Sequence, residues 1–301
     1  MSSIKNVVLA GASGNLGPAI LKALLDSSKF NVTVLTRHES KATFPSAAKV
    51  VRVDYSSLDS LKSAFQGQDA IVSTLSALAL SDQTRMIDAA IAAKVQRFIP
   101  SEFGSDLQNP KARALPVFAG KVEVQNYLVE KVKSSPDFSY TIIRNGFFLD
   151  WGLQVGFILN TKDFKPTIYG SGDQEFSSTS LPAVGQAVVG VLSKAAETAN
   201  KVVYVEEIAL TQNKILAMAK KLTPGKTWEP VQGDLDAMKA ASDARLQKGL
   251  FDDETFIPYI FMAGFGEGYG GKVQKVDNEL LGVKRATEAD VEAILKTVIQ
   301  G

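Results

Sequence analysis

Cysteine is absent from the 301 residues and histidine occurs once, at His38. The first absence excludes disulfides, thiolate nucleophiles and thiolate-held metals, and it suits a reducing compartment. The second leaves a metal centre only carboxylates, and the acidic run Asp252, Asp253 and Glu254 reads as a solvated loop. It also leaves a serine nucleophile no base except His38, which is poorly placed beside Arg37. Neither a metal site nor a hydrolytic triad is expected. An excess of charge is lacking too: 33 Lys and Arg stand against 32 Asp and Glu, for a net charge of +1. No basic face offers itself to a phosphate backbone, so nucleic acid is not an expected partner. No apolar stretch approaches a membrane span, and the start MSSIKNVVLA runs into a strand-like segment without a basic, long-apolar, cleavable leader. The expectation is a soluble, cytoplasmic chain with no membrane partner. Internal repeats and low-complexity tracts are likewise missing.

What is present is an alternation. Strand-like apolar runs recur at Val7–Ala10, Val32–Leu35, Val50–Val53, Ala70–Leu75, Phe98–Pro100 and Tyr140–Ile143. Helix-like stretches at Pro18–Leu25, Ser57–Phe65, Gln83–Ala93 and Phe118–Val132 separate them. Strand and helix in turn predict an α/β fold, a parallel sheet covered by helices on both faces. Pro18 fits the first turn of a helix and Ser57 reads as a cap. After about residue 150 the rhythm loosens into loops and short strands, where a smaller lobe is expected to begin, and a last amphipathic helix is predicted near Glu288–Ile299.

The stretch GASGNLG follows the first strand and opens the first helix, with Gly11, Gly14 and Gly17 in the pattern GxxGxxG. Glycines there permit a tight turn and the close approach of a ligand, while free amides at a helix N-terminus attract phosphate oxygens. Gly11, Ser13, Gly14, Asn15, Leu16 and Gly17 are therefore expected to bind a dinucleotide diphosphate. The second strand ends on Arg37, where an acid would instead accept hydrogen bonds from a ribose hydroxyl. A guanidinium favours a 2′-phosphate, which predicts NADP(H), with Lys41 as a second positive charge and Glu39 as a countercharge. Thr74, Leu75 and Ser76 leave the carboxyl edge of the predicted sheet and should line the same cleft.

The segments GASGNLG, VLTRHES, VRVDYSSLDSLKSAFQGQDAIVSTLS and RFIPSEFGSD together resemble the NmrA-like and isoflavone reductase-like branch of the atypical short-chain dehydrogenases. The likeness covers roughly residues 4–185. It implies a Rossmann-type doubly wound parallel sheet with a smaller α+β substrate lobe, the NADP-binding part near 1–155 and a mainly substrate-binding lobe over 156–301, interleaved with the first. It implies NADPH/NADP+ as cofactor and a small aromatic or polyketide-like metabolite as the molecule reduced, within secondary metabolism. The same branch includes a regulator that senses dinucleotides without turnover, and a quinone reductase would share the cofactor. All three readings stand at this level, as do monomer and homodimer.

By that resemblance a lysine opens the helix after the SEFG loop, and here it is Lys121, implied to serve as general acid or base near the nicotinamide and to touch the cofactor. Ser101, Glu102 and Phe103 follow a strand and border the nicotinamide; for Glu102 a structural role in tying down the loop stands beside that one. Asn145, Gly146 and Phe147 in RNGFF match the family segment that walls the nicotinamide, with strand termination around a buried aromatic as the other reading. Phe148, Trp151, Phe157 and the late FIPYIFMAGFGEGYG offer aromatic surface to a ring-bearing substrate, or core. Tyr127 and Lys131 spell the YxxxK of typical short-chain dehydrogenases, but the family frame puts the lysine at Lys121 and Val117 in the tyrosine's place. The pair reads as packing one helical turn apart. Members of the branch often carry an acid after the YG turn, where this chain has Ser180 and Leu181.

Overall fold

The computed structural model describes residues 3–76 and 82–300. Strands β1 (Asn6–Ala10), β2 (Asn31–Arg37), β3 (Lys49–Val53), β4 (Ala70–Ser73), β5 (Arg97–Ile99) and β6 (Ser139–Arg144) alternate with helices α1 (Gly17–Asp26), α2 (Leu58–Phe65), α3 (Asp82–Ala92), α4 (Pro110–Arg113) and α5 (Ala119–Ser134). There follow β7 (Phe147–Phe148), α6 (Leu149–Gln154), β8 (Thr167–Tyr169), β9 (Phe176–Thr179), α7 (Leu181–Ser193), β10 (Lys201–Tyr204) and β11 (Ile208–Leu210). The chain ends through α8 (Gln212–Leu222), β12 (Val231–Gly233), α9 (Leu235–Gln247), α10 (Asp253–Phe265), α11 (Asn278–Leu281) and α12 (Glu288–Gln300).

Seven strands form one parallel sheet in the order β3-β2-β1-β4-β5-β6-β10. The α/β architecture with a parallel sheet expected from the alternation, and the Rossmann-type sheet that the resemblance implied, are thus the observed ones. The central strands β1 and β4 are mainly apolar because both faces are covered, and Leu9 lies in register with Val34 and Val72. On one face α1 and α7 pack so closely that a Cβ on Gly185 would stand 2.8 Å from the Ala19 carbonyl oxygen. On the other face Leu61, Phe65, Met86, Val124 and Leu128 from α2, α3 and α5 close the core.

The chain runs outward from β1 to β3 and then returns to lay β4 beside β1. The connections leaving β1 and β4 therefore diverge, which opens a crevice at the carboxyl edge. β4 stops two residues short of the expected Leu75, and just beyond its end the Thr74 amide and hydroxyl both donate to the Ala10 carbonyl, each at 2.9 Å.

The loosened region forms a three-stranded sheet, β11-β9-β7, and a two-stranded one, β12-β8, around an aromatic core. Phe147 meets Phe176 at 5.4 Å and Phe265 at 5.1 Å, and Tyr169 stacks on Phe265 at 5.3 Å. Although they follow residue 156, α7 and β10 join the large layer. The acidic run expected to be a loop instead starts α10. The Asp252 carboxylate caps the Thr255 amide at 3.0 Å, Arg245 reaches Asp252 at 2.7 Å and Glu254 at 3.0 Å, and all three acids sit where a helix N-terminus favours them. At α7 the acids come from elsewhere in the chain: Glu207 accepts from the Ser180 amide at 2.6 Å and Asp150 from the Leu181 amide at 2.9 Å. Among the described residues no helix is long and apolar enough to cross a membrane.

Candidate active site

A crevice of about 600 Å3 runs along the carboxyl edge of the large sheet. One wall is the turn between β1 and α1. Gly11 has φ +83°, a left-handed conformation, and a Cβ on it would lie 2.6 Å from the Thr74 carbonyl oxygen, so β1 and the strand beside it meet at a distance only glycine allows. The Gly14 amide closes the turn on the Gly11 carbonyl at 3.1 Å. A Cβ on Gly17 would sit 2.3 Å from that same carbonyl oxygen, which makes Gly17 the seat on which the turn rests and takes it off the crevice wall. Leu16 precedes α1 without a side-chain cap, and the first turn of α1 holds no acid. The amides at this helix end are left to attract an anion, and the turn accordingly fits the diphosphate of a dinucleotide.

Farther along, Leu35, Thr36, Arg37 and Ser40 line the crevice with Tyr55. Arg37 meets Glu39 at 3.3 Å, with both side chains largely in water. Arg52 on β3 gathers the loop, its Nη1 donating to the carbonyls of Arg37 at 3.2 Å, His38 at 2.7 Å and Ser40 at 3.0 Å. Lys41 is exposed and does not reach the wall.

At the opposite end stand Thr74, Leu75, Ser76, Ser101, Glu102, Phe103, Lys121 and Phe148. The Ser101 hydroxyl donates to the Leu75 carbonyl at 2.7 Å and its amide to Gln83 Oε1 at 2.8 Å, which binds the loops after β4 and β5 together. Lys121, in the first turn of α5, donates from Nζ to the Glu102 main-chain carbonyl. Burial lowers its pKa to about 8; the Glu102 carboxylate pulls it up and the Arg144 guanidinium pushes it down. The Glu102 side chain is buried and paired with Arg144, which is fully buried, and Gln125 Nε2 donates to the same carboxylate at 3.1 Å. The reading of Glu102 as an acid that ties down its loop accords with these bonds.

Asn145, Gly146 and Phe147 are not on the wall. The Asn145 and Gly146 amides donate to the Gly104 carbonyl at 3.3 and 3.2 Å, and Gly146 lies against the Ser177 backbone. Phe147 points into the aromatic core, and the alternation of a strand sends its successor Phe148 to the crevice. Phe148 meets Trp151 edge-on at 6.3 Å, and Trp151 lies 5.9 Å from Phe157. Much of FIPYIFMAGFGEGYG is core, with Tyr259, Phe261 and Phe265 buried. Tyr127 and Lys131 are off the crevice; both bind Asp88 on α3, at 2.7 and 2.6 Å, which ties two helices together.

Sequence reasoning did not pick out Ala12, Leu35, Thr36, Ser40, Tyr55 or Asp82 among the residues that line the crevice, nor Arg144, Gln125 and Arg52 behind them, and it left Phe148 between substrate surface and core. The apolar neighbours of Phe148 and the strand-end position of Arg144 gave pattern reasoning no means of choosing between core and site.

Residues 3–248 match the NmrA-like family. The chain belongs to the NmrA-like family. Its relatives include the oxidoreductase aprR of Aspergillus flavus, 33% identical over 98% of this chain and 99% of that protein, and the oxidoreductase poxI of Penicillium oxalicum, 33% identical over 94% and 91%. This NmrA-like chain is an oxidoreductase, related to the isoflavone reductase-like enzymes. A solved structure described as AtPrR2 with NADP+ and (+)pinoresinol shares the fold at TM-score 0.80, covering 99% of both chains at 23% identity.

Proposed function

We propose that this NmrA-like oxidoreductase binds NADPH along the crevice and reduces a small aromatic or polyketide-like metabolite. The observation that carries the reading is a half-buried amine, Lys121, at one end of a crevice whose other parts suit a diphosphate and an adenosine phosphate. Gly11, Ser13, Gly14, Asn15 and Leu16 would hold the diphosphate, Arg37 the 2′-phosphate, and Thr74 to Ser76 with Ser101 to Phe103 the nicotinamide end. When bound, the reduced nicotinamide supplies hydride.

What the chain supplies is a proton and a place. Hydride arriving at an electrophilic carbon leaves negative charge on the adjoining oxygen, and Lys121 in its ammonium form can donate to that oxygen. With a pKa brought down to about 8, it gives up the proton more readily than a surface lysine does. Phe148, backed by Trp151, offers a flat apolar face beside that amine, which suits a phenolic ring. AtPrR2, solved with NADP+ and an aromatic ligand, supports this reading through its shared fold. A dinucleotide sensor would have no use for a desolvated amine at that place.

The test is titration with NADPH and NADH, followed by incubation with NADPH and a panel of phenolic ketones, enones, quinones and benzylic ethers. Preferential NADPH binding and oxidation matched by reduced product are expected. Equal or tighter NADH binding overturns the cofactor reading, and binding without consumption across the panel overturns the reductase in favour of a sensor.

A further inference from the structure

We propose that the buried pair Glu102 and Arg144, clamped from α5 by Gln125, is the device that positions Lys121 for proton transfer, with both charged residues acting as positioning residues. The proposal rests on the reading of Lys121 given above. Glu102 grips α5 at two successive turns: its carbonyl accepts from Lys121 and its carboxylate from Gln125, four residues on. The other carboxylate oxygen accepts from Arg144 Nη1 at the end of β6. A single side chain thereby locks the loop after β5 to both the helix that carries the amine and the neighbouring strand.

The pair is an expensive way to fill space. Two fully buried charges lose their hydration, and in protein interiors well-packed apolar side chains of similar size often give equal or better stability than such a pair. Arg144 is also under-used as a structural donor, since its Nε and Nη2 are buried without a partner among the described residues. A site that must hold an amine against the loop anchored by this pair gives the pair a purpose. Glu102 favours the ammonium form of Lys121 and Arg144 the free amine. Among the described residues these two are the charged groups acting on Lys121, and Arg144 also acts on Tyr204, whose hydroxyl donates to Asp106 at 3.0 Å.

The experiment is a pH titration of the Lys121 Cε signal by NMR in the full chain labelled with [13C]lysine, the signal being assigned by its loss in Lys121→Met. It needs neither cofactor nor substrate. The wild-type midpoint is expected at about 8. Glu102→Gln should lower the midpoint and Arg144→Met raise it, each by about one pH unit or more. Opposite signs support the proposal, because simple loosening of the structure would admit water and raise both midpoints. Unchanged midpoints in variants that unfold cooperatively, or shifts of the same sign, overturn it. Should Arg144→Met fail to fold, Glu102→Gln decides alone: the amide is isosteric and keeps Gln125 within reach, and only a fall supports the proposal. Turnover of Lys121→Met is read separately. Undiminished turnover removes the catalytic reading beneath the proposal, whereas lost turnover with unmoved midpoints removes the positioning device alone.

Discussion

At the Arg37 end of the crevice, guanidinium and carboxylate meet at 3.3 Å with side chains 73% and 69% exposed, whereas Arg144 and Glu102 at the Lys121 end meet at 0% and 1%. The chemistry of the two pairs is the same and their surroundings are opposite. In water a pair of this kind is worth about 0–1 kcal/mol and is free to exchange its partner for a ligand's phosphate. Without water the charges are committed, and removing one leaves the other stranded. The exposed end is thus suited to recognition, and the buried end to holding a reactive group still.

The largest effect expected from this contrast is on rate. Lys121→Met should lower kcat by about 10^2 to 10^4 while leaving the dissociation constant of NADPH nearly unchanged, measured by stopped-flow reduction and fluorescence titration. The wild type should lose kcat/KM as pH rises past about 8, because the donor is the ammonium form and that form disappears above its pKa. A rate that rises through that region would make Lys121 a base.

Next comes stability. Arg144→Met should cost about 3–5 kcal/mol in denaturant unfolding, while Arg37→Ala should cost less than about 0.5 kcal/mol. Equal costs would break the comparison between the two ends. In binding, the order reverses. Arg37→Ala should weaken NADPH about tenfold, roughly 1.4 kcal/mol, and leave NADH untouched, as read by titration at fixed ionic strength. The smallest effect belongs to Glu39→Ala, which frees Arg37 from its countercharge and should tighten NADPH by about two- to fourfold, a gain that fades in high salt.

The large sheet was legible because its central strands are buried on both faces and read as continuous apolar runs between helices of regular period. The glycine turn was legible for a related reason, since Gly11 occupies a conformation that other residues avoid. Even there, sequence could not separate Gly14, which faces the crevice, from Gly17, which supports it from behind. Beyond Ile143 legibility fell away. Phe147 and Phe148 are chemically identical neighbours, and one residue of strand register sends the first into the aromatic core and the second to the crevice. Arg144 ends β6 with no local pattern to announce its partner, 42 residues earlier in the chain.

From the order of residues alone came the alternating architecture, the glycine turn that opens the first helix and the cation that ends the second strand, because each is written in near neighbours and in backbone constraints of single positions. The exposure of Arg37, the burial of Glu102 and Arg144, and the lowered proton affinity of Lys121 were decided only by tertiary structure. The physical reason is that the strength of a charge depends on how much water surrounds it, and that is settled when β5, β6 and α5 close over the site.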